Sequence, residues 1–265
     1  MVVLLGGVFL YYTPWILIQD VPSLGRATRL KGIKTSRQHE FLSDLERNYF
    51  YILEYSDTVV DIREQFPLLP LEETVLIAKE LGIKHPTDPK TSEYTVMTAD
   101  FLVTTIRNEE LINVARTIKS KEDLINKRTL EKFEIERRYW EKQEVNWGIV
   151  TENEIDKTLA QNISYMHSYY NDLYELDSFI SIEKEVVDDL VINYIDRIIG
   201  ESVDIRKISK CFDKDFSLKS GTGLSIFYYL IIRKIVKINM LEELNLSKVK
   251  DIRIDWNFQK EMKII

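Results

Sequence analysis

The sequence lacks most of the side chains that build disulfide frameworks and transition-metal sites. It contains one cysteine, Cys211, in 265 residues, which excludes an internal disulfide and a cysteine-rich zinc site. Its three histidines are scattered, which argues against a histidine metal centre, and for His85 we expect a structural hydrogen bond. Cys211 lies in an apolar and charged helical stretch, and we expect it to be a buried small residue rather than a nucleophile.

Positive charge is also in deficit. The chain carries 36 lysines and arginines against 43 aspartates and glutamates, for a net charge of −7. A protein that holds DNA on its own usually has a basic surplus, because DNA affinity depends on neutralising phosphates. If this chain contacts DNA, we therefore expect a partner to supply much of the affinity.

The chain begins with an apolar run, Met1–Trp15. The run is about a dozen residues long, which is too short to cross a bilayer, and it lacks the basic region and cleavage site of a signal peptide. We expect a buried strand here, or an artefact of start-codon choice, and we expect the protein to be cytoplasmic.

The remaining composition is that of a globular protein, with 45% hydrophobic and 30% charged residues. Strand and helix signals alternate up to about residue 150, and helix signals dominate from about residue 155. We predict an α/β (α+β) protein with one domain at 1–152 and a second at 153–265.

The first segment begins with Thr35-x-x-Gln38, which resembles a capping box and predicts a helix from about Ser36 to Tyr55. The elements predicted after it are a strand ending at Pro67, a short helix closed by Gly82, a hairpin of Thr95–Ile106 with Leu111–Lys119, a helix from Arg128 to about Val145, and a strand at Asn146–Thr151. The order strand, strand, helix, strand indicates a central mixed sheet with a helical crossover.

The second segment contains three consecutive helix candidates, at 183–199, 204–216 and 221–237. A short β-like tail follows from Ile238. Three helices and a terminal hairpin are the outline of a winged helix, although many small helical domains share that outline.

The hairpin carries the residues of greatest chemical interest. Asp100 is a carboxylate in an otherwise apolar strand, and Lys119 ends the neighbouring strand, so the two can meet across the pair. A helical glutamate upstream, Glu46, can complete the site. This is the layout of the PD-(D/E)xK nucleases, in which carboxylates hold Mg²⁺ and the lysine orients or activates water and offsets negative charge.

The pattern departs from that layout at Thr117, where the residue two before the lysine is usually Glu, Asp or Gln. Mg²⁺ keeps several waters and needs few protein ligands, so the departure does not exclude a cation site. From the pattern alone, an exposed lysine, an edge aspartate and a solvated helix glutamate explain the same residues.

Six stretches closely resemble TnsA, the endonuclease subunit of Tn7-type heteromeric transposons, and they occur in the family's order between about residues 13 and 155. They are Thr13–Arg26, Phe41–Glu46, Asp61–Pro70, Gly82–Pro86, Met97–Val103 and Arg128–Trp140. The C-terminal segment is similar only in length and helical character. The resemblance implies a restriction-endonuclease-like, mixed-sheet N-terminal domain followed by a mostly helical, winged-helix-like domain that binds partners.

The resemblance also implies an active site. The family's helical glutamate falls on Glu46, its aspartate on Asp100 and its lysine on Lys119. Its glutamine two residues before the lysine falls on Thr117. The implied ligands of Mg²⁺, or of Mn²⁺ in its place, are Glu46, Asp100, the hydroxyl of Thr117 and the backbone carbonyl of Ile118.

The implied activity is a nick at the 5′ ends of the transposon in double-stranded DNA. A DDE transposase (TnsB-like) would process and join the 3′ ends, and an AAA+ ATPase regulator (TnsC-like) would contact the C-terminal domain. Two alternatives remain open. In one, the chain is a catalytically weakened adaptor that bridges transposase and ATPase, and in the other it is a stand-alone restriction-like nuclease.

Several residues around this site carry secondary predictions. Glu136 is expected either to point toward the site or to belong to a salt-bridged helix face, and Arg137 and Arg138 either to contact the DNA backbone or to be solvated. Glu64 is a candidate for metal binding, and Arg63 and Gln65 are candidates for shaping a substrate groove.

Overall fold

The computed structural model describes residues 12–20, 27–171, 173–200 and 202–255, and it forms two compact units that divide between Lys157 and Thr158. The apolar N-terminal stretch therefore lies almost entirely outside the described residues. Among the helices that are described, none is long and apolar enough to cross a membrane. The predicted domains, 1–152 and 153–265, have their boundary close to this division.

The first unit is built on a four-stranded sheet. Its strands are β3 (Val59–Pro67), β4 (Thr98–Arg107), β5 (Glu110–Ile118) and β6 (Asn146–Val150), in that spatial order. Strands β3, β4 and β5 are antiparallel, while β5 and β6 are parallel and are connected through helix α3 (Lys127–Lys142). The predicted mixed sheet with a helical crossover is confirmed.

The turn between β4 and β5 sets the register of the site. Arg107 pairs with Glu110, which leaves a two-residue loop of Asn108 and Glu109. Both residues have positive φ, 51° and 66°, as a tight hairpin turn requires. The resulting register places Phe101 opposite Arg116, so Asp100 lies beside the C-terminal end of β5.

The described part of the first unit also contains two short strands and two further α-helices. The strands are β1 (Thr28–Lys31) and β2 (Gln38–Phe41), and the helices are α1 (Asp44–Tyr55) and α2 (Leu71–Glu80). The predicted helix start at Ser36 is wrong, because residues 38–41 form β2, which pairs with β1, and the helix begins only at Asp44. The hydroxyl of Thr35 does not cap a helix but contacts His39 Nε2 at 2.6 Å.

Apolar side chains cover the sheet in two groups. Phe41, Phe50 and Phe101 form one group, with the rings of Phe41 and Phe50 4.7 Å apart. The other includes Leu102 and Ala115 of the sheet and Ile135 and Trp140 of α3. Each fully buried large apolar side chain contributes roughly 1.5–3 kcal/mol to folding, and these groups hold α1 and α3 against the strands that carry the site.

A buried polar network ties β2 to the sheet. His39 Nδ1 lies 2.7 Å from Glu64 Oε2, and Arg63 donates to Thr104 on β4 at 2.7 Å and to Asn113 on β5 at 2.8 Å. Arg63 is only 1% exposed. The interpretation of Arg63 as a groove residue is therefore wrong, because its guanidinium is buried and its hydrogen bonds hold three strands together.

In its described residues, the second unit has four α-helices, a short 3-10 helix and two strand pairs. The three predicted helices occur as α5 (Lys184–Ile198), α6 (Ile205–Asp215) and α7 (Thr222–Ile232), and α4 (Lys157–Met166) precedes them. The predicted end of the third helix at residue 237 is wrong, because Val236 and Lys237 belong to a strand. Strand β7 (Ser202–Val203) pairs with β9 (Val249–Lys250), and β8 (Val236–Lys237) pairs with β10 (Arg253–Ile254).

Helices α6 and α7 approach each other closely. A Cβ added at Gly223 would lie 3.0 Å from the backbone of Ser209, and the carboxylate of Asp213 accepts the amides of Gly221 and Gly223, both at 2.7 Å. Cys211 lies on the other side of α6 and is exposed. The prediction that it is buried is wrong, since α6 buries Ile205, Ser209 and Phe212 instead.

Candidate active site

Glu46 is positioned by the first turn of α1. Ser43 is the N-cap: its hydroxyl accepts the amide of Glu46 at 3.2 Å and donates to Glu46 Oε1 at 2.7 Å. The amide of Leu42 donates to Glu46 Oε2 at 3.1 Å. The arrangement is similar to a capping box, with the amide of Leu42 in the place of the N-cap amide, and it fixes a buried carboxylate at the start of the helix.

Asp100 is the central carboxylate of the site. Its Oδ2 accepts the backbone amide of Ile118 at 2.6 Å, which links β4 to the end of β5. Burial raises its pKa well above the ordinary value, and the negative charge of Glu46 adds to that rise. Burial likewise raises the pKa of Glu46, opposed by its hydrogen bonds to Ser43 and Leu42 and by the charge of Lys119.

Gln65 on β3 lies against Asp100. Its side-chain amide is 3.5 Å from Asp100 Oδ1, and its oxygen accepts the hydroxyl of Thr98 at 3.2 Å. Its hydrogen bonding lowers the pKa of both Glu46 and Asp100, against the opposing effect of burial. Gln65 therefore contacts the acidic pair directly. The only sequence signal for this was a polar side chain in the buried run Asp61–Pro67.

Lys119 follows the last residue of β5. Its amide donates to the carbonyl of Val150 at 3.0 Å, which fixes its backbone between β5 and β6. Its side chain is 40% exposed, and its ammonium lies 3.4 Å from Asp123. It is the most solvent-accessible member of the predicted trio, and its charge acts on Glu46.

Thr117 is buried beside Glu136 of α3. Its hydroxyl donates to Glu136 Oε1 at 2.6 Å. The indole N–H of Trp147 donates to the same carboxylate oxygen at 3.0 Å and lies 3.2 Å from the Thr117 hydroxyl. Burial raises the pKa of Glu136 to about 7, although the hydrogen bonds from Thr117 and Trp147 act in the opposite direction.

The contacts of the neighbouring residues decide between the roles predicted for them. Glu136 points toward the site, while Arg137 and Arg138 pair with Glu134 and Glu141 on the exposed face of α3. Glu64 belongs to the His39 network and not to the acidic site. His85 has the expected structural role, since it contacts the hydroxyl of Thr74 and the carbonyl of Pro86, each at 2.9 Å.

The donor set fits a hard divalent cation. Glu46 and Glu136 are buried, Asp100 is half-buried, and the charges of both glutamates act on Asp100, while the charge of Lys119 acts on Glu46. A bound cation would relieve the repulsion between these carboxylates. Within the described ranges, no three His, Cys, Asp or Glu side chains form a ready-made metal cluster. Mg²⁺ does not require one, since it retains several waters.

Comparison with known proteins gives matches to both units. The family model described as TnsA-like endonuclease N terminal matches residues 56–152, and the one described as TnsA endonuclease C terminal matches residues 154–240. The chain is also 36% identical over 249 residues to the transposon Tn7 transposition protein TnsA of Escherichia coli, covering 92% of this chain and 85% of that protein. The N-terminal family match contains Asp100, Thr117 and Lys119 and begins after Glu46.

Proposed function

Because the chain belongs to the TnsA family of transposition endonucleases, we propose that it uses Glu46, Asp100 and Lys119 to nick the 5′ ends of a transposon. Its mixed sheet is that of a restriction-endonuclease-like fold, and the chain is a nuclease subunit of a Tn7-type transposition system. The observation that carries the proposed site is the half-buried Asp100, with Glu46 and Gln65 acting on it and the charge of Lys119 acting on Glu46.

The proposed cation is Mg²⁺, with Mn²⁺ as a substitute. Asp100 and Glu46 would hold it by carboxylate oxygens, with the Ile118 carbonyl and the Thr117 hydroxyl as further candidates. Bound there, the cation supplies Lewis-acid polarisation of the scissile phosphate and lowers the pKa of water.

The protein side chains have separate tasks in hydrolysis. A water oxygen forms a bond to phosphorus, and the bond from phosphorus to the leaving sugar oxygen breaks, with that oxygen taking up a proton. Lys119 is accessible to DNA and is placed to orient the water and offset the charge that develops on the phosphate. Gln65 and the Ile118 amide hold Asp100 in one orientation while this occurs.

The proposal assigns other steps to partners. A DDE transposase (TnsB-like) would cut and join the 3′ ends, and an AAA+ ATPase regulator (TnsC-like) would bind the C-terminal domain, residues 153–265, which we propose is winged-helix-like. The net charge of −7 supports recruitment by partners to double-stranded transposon ends. In the second unit, α7 is buried along almost its whole length, so it is not free to enter a DNA groove.

The test is strand-specific cleavage of a duplex with transposon ends, labelled on each strand, in the presence of the partner transposase and regulator. We expect Asp100→Ala and Asp100→Asn to abolish 5′-end nicking while 3′-end cleavage and complex assembly persist. Asp88→Asn, in an exposed loop, is the matched control. Cleavage by Asp100→Ala at the wild-type rate would show that the site is wrong.

The adaptor alternative rests on Thr117, where the family usually has glutamine. It expects wild-type and Asp100→Ala proteins to support transposition equally, with neither nicking the 5′ strand. A stand-alone nuclease would instead cut plain duplex without partners, and the same assay with the partners omitted separates that case.

A further inference from the structure

Glu136 is a buried acidic residue beside the acidic pair of Glu46 and Asp100. It lies on α3, the crossover helix between β5 and β6, and it is only 2% exposed. The hydrogen bonds from Thr117 and from Trp147 reach the same oxygen, Oε1. In the part of the chain that the structure describes, no lysine, arginine or histidine forms an ion pair with it.

The position of Glu136 matters because of its contact with Thr117. Position 117 is where the related nucleases place an acid or an amide. The Thr117 hydroxyl is 2.6 Å from Glu136 and within 3.2 Å of the Trp147 indole, so its proton and one lone pair are already engaged. The same hydroxyl is therefore better suited to hold Glu136 than to bind a cation by itself.

Burying a carboxylate without a cationic partner lowers the stability of the folded protein. A side chain that only accepted the hydrogen bonds of Thr117 and Trp147 would not need a negative charge. A neutral glutamine would accept the same two hydrogen bonds without the desolvation penalty of a carboxylate. The negative charge of Glu136 also acts on Asp100. Its charge thus adds to the field of the acidic pair, where a divalent cation is expected to bind.

We propose that Glu136, held by Thr117 and Trp147, is a further acidic positioning residue of the cation site and compensates for the missing acid or amide at position 117. Its charge strengthens cation binding, either directly or through a water, while Thr117 fixes its orientation. This inference rests on the proposed cation-dependent site.

The test is calorimetric titration of the full-length protein with Mn²⁺ alone, without DNA, so that binding is measured independently of cleavage. We expect Glu136→Gln, which keeps the hydrogen bonds but removes the charge, to weaken Mn²⁺ binding about 10- to 100-fold. Glu134→Gln, on the same helix but partly exposed and paired with Arg137 and Arg138, should leave the affinity unchanged.

Two further variants separate the role of Thr117 from that of Glu136. Thr117→Val removes the donor but leaves the charge, and we expect a several-fold loss of Mn²⁺ affinity that Thr117→Ser restores. If Glu136→Gln does not fold in a thermal unfolding control, the comparison of Thr117→Val with Thr117→Ser becomes the test. Equal Mn²⁺ affinity in these two variants would then overturn the inference. A larger loss in Thr117→Val than in Glu136→Gln would mean that the hydroxyl is the ligand, which also overturns it.

Asp100→Asn distinguishes this inference from the proposed function. If Asp100→Asn loses Mn²⁺ binding while Glu136→Gln retains wild-type affinity, Glu136 is only structural and the proposed nuclease site stands. If Asp100→Asn binds Mn²⁺ like the wild type, the proposed cation site is itself wrong and both proposals fail.

Discussion

Gln65 donates its side-chain amide toward Asp100 from a backbone position with a φ of 48°. This is the left-handed region, which is unusual for a non-glycine residue and costs of order 1–3 kcal/mol. The distortion lies within β3, between Glu64 and Phe66, both of which pair normally with β4. The chain therefore tolerates backbone strain at the strand position whose side chain contacts the acidic pair.

We predict that Gln65→Ala lowers 5′-end nicking about 10- to 100-fold, because Asp100 loses a neighbour that orients it. A stability loss of about 1 kcal/mol should accompany it, because the Thr98 hydroxyl loses its acceptor. Gln38→Ala, at an exposed position in the same unit, should nick like the wild type. The two variants are compared in single-turnover cleavage and thermal unfolding, and equal rates would remove Gln65 from the site.

The capping serine of α1 gives a second prediction. Ser43→Ala removes a helix cap and frees the carboxylate of Glu46, so we expect a stability loss of about 1 kcal/mol together with reduced nicking. Asn126→Ala removes the cap of α3 and should cost similar stability without reducing nicking. Ser43→Thr, which retains a hydroxyl, should recover both properties. Equal activity losses in the two alanine variants would contradict a specific role for Ser43.

The buried acids predict how stability depends on pH. Burial raises the pKa of Glu136 to about 7 in the folded protein, above its ordinary value of 4.5. Between these values the folded protein retains a proton that the unfolded chain releases. Stability without cation should therefore fall as pH rises from about 4.5 to about 7, by up to about 3 kcal/mol.

Urea denaturation in EDTA at pH 5 and pH 8 checks this dependence. The stability of Glu136→Gln should fall less over the same interval than that of the wild type, since it lacks the titrating group. The shift in the Asp100 pKa has the same sign, so some dependence should persist in the variant. Parallel pH profiles for the two proteins would show that Glu136 is not the source.

A substitution at position 117 tests whether the site has lost its nicking activity. We expect Thr117→Gln to give no gain in nicking, because the longer side chain must enter space already bounded by Glu136 and Trp147. A large gain in strand-specific cleavage would instead favour the adaptor alternative, with a site that has lost an amide. Thr117→Ser, which retains the hydroxyl, serves as the conservative control.

Lys119 and its neighbour Asp123 supply a final prediction. Their contact is solvent-exposed, so Asp123→Asn should leave the free energy of unfolding nearly unchanged. Nicking should remain within about threefold of wild type, while Lys119→Met should abolish it. If Asp123→Asn abolished nicking as well, the ion pair would be part of the working site.

Local sequence patterns are sufficient to predict the strands of the sheet. The strands β3, β4, β5 and β6 follow from apolar runs bounded by turn residues, and the crossover α3 follows from its charged helical spacing. The start of α1 was mispredicted for a physical reason. Thr35 and Gln38 have the spacing of a capping box, but the partner of Thr35 is His39, and the long-range contact of His39 with Glu64 holds that segment against the sheet.

The candidate site was less accessible to pattern reasoning. Asp100 and Lys119 are recognisable as hairpin neighbours, but Glu46 joins them only after α1 packs on the sheet, and the family resemblance selected it. The contact made by Gln65 depends on a left-handed backbone that no local rule predicts for glutamine. The orientation of Glu136 depends on the rotation of α3, which is fixed by the burial of Ile135, Tyr139 and Trp140.

The cap of α1 has a consequence for heat sensitivity. The carboxylate oxygens of Glu46 that are proposed to face the cation also accept the hydroxyl of Ser43 and the amide of Leu42. Fraying of a single helical turn would therefore displace this acid while the sheet and the rest of the protein stay folded. The temperature at which cutting stops should thus lie below the temperature at which the domain melts, and an occupied cation site should bring the two together.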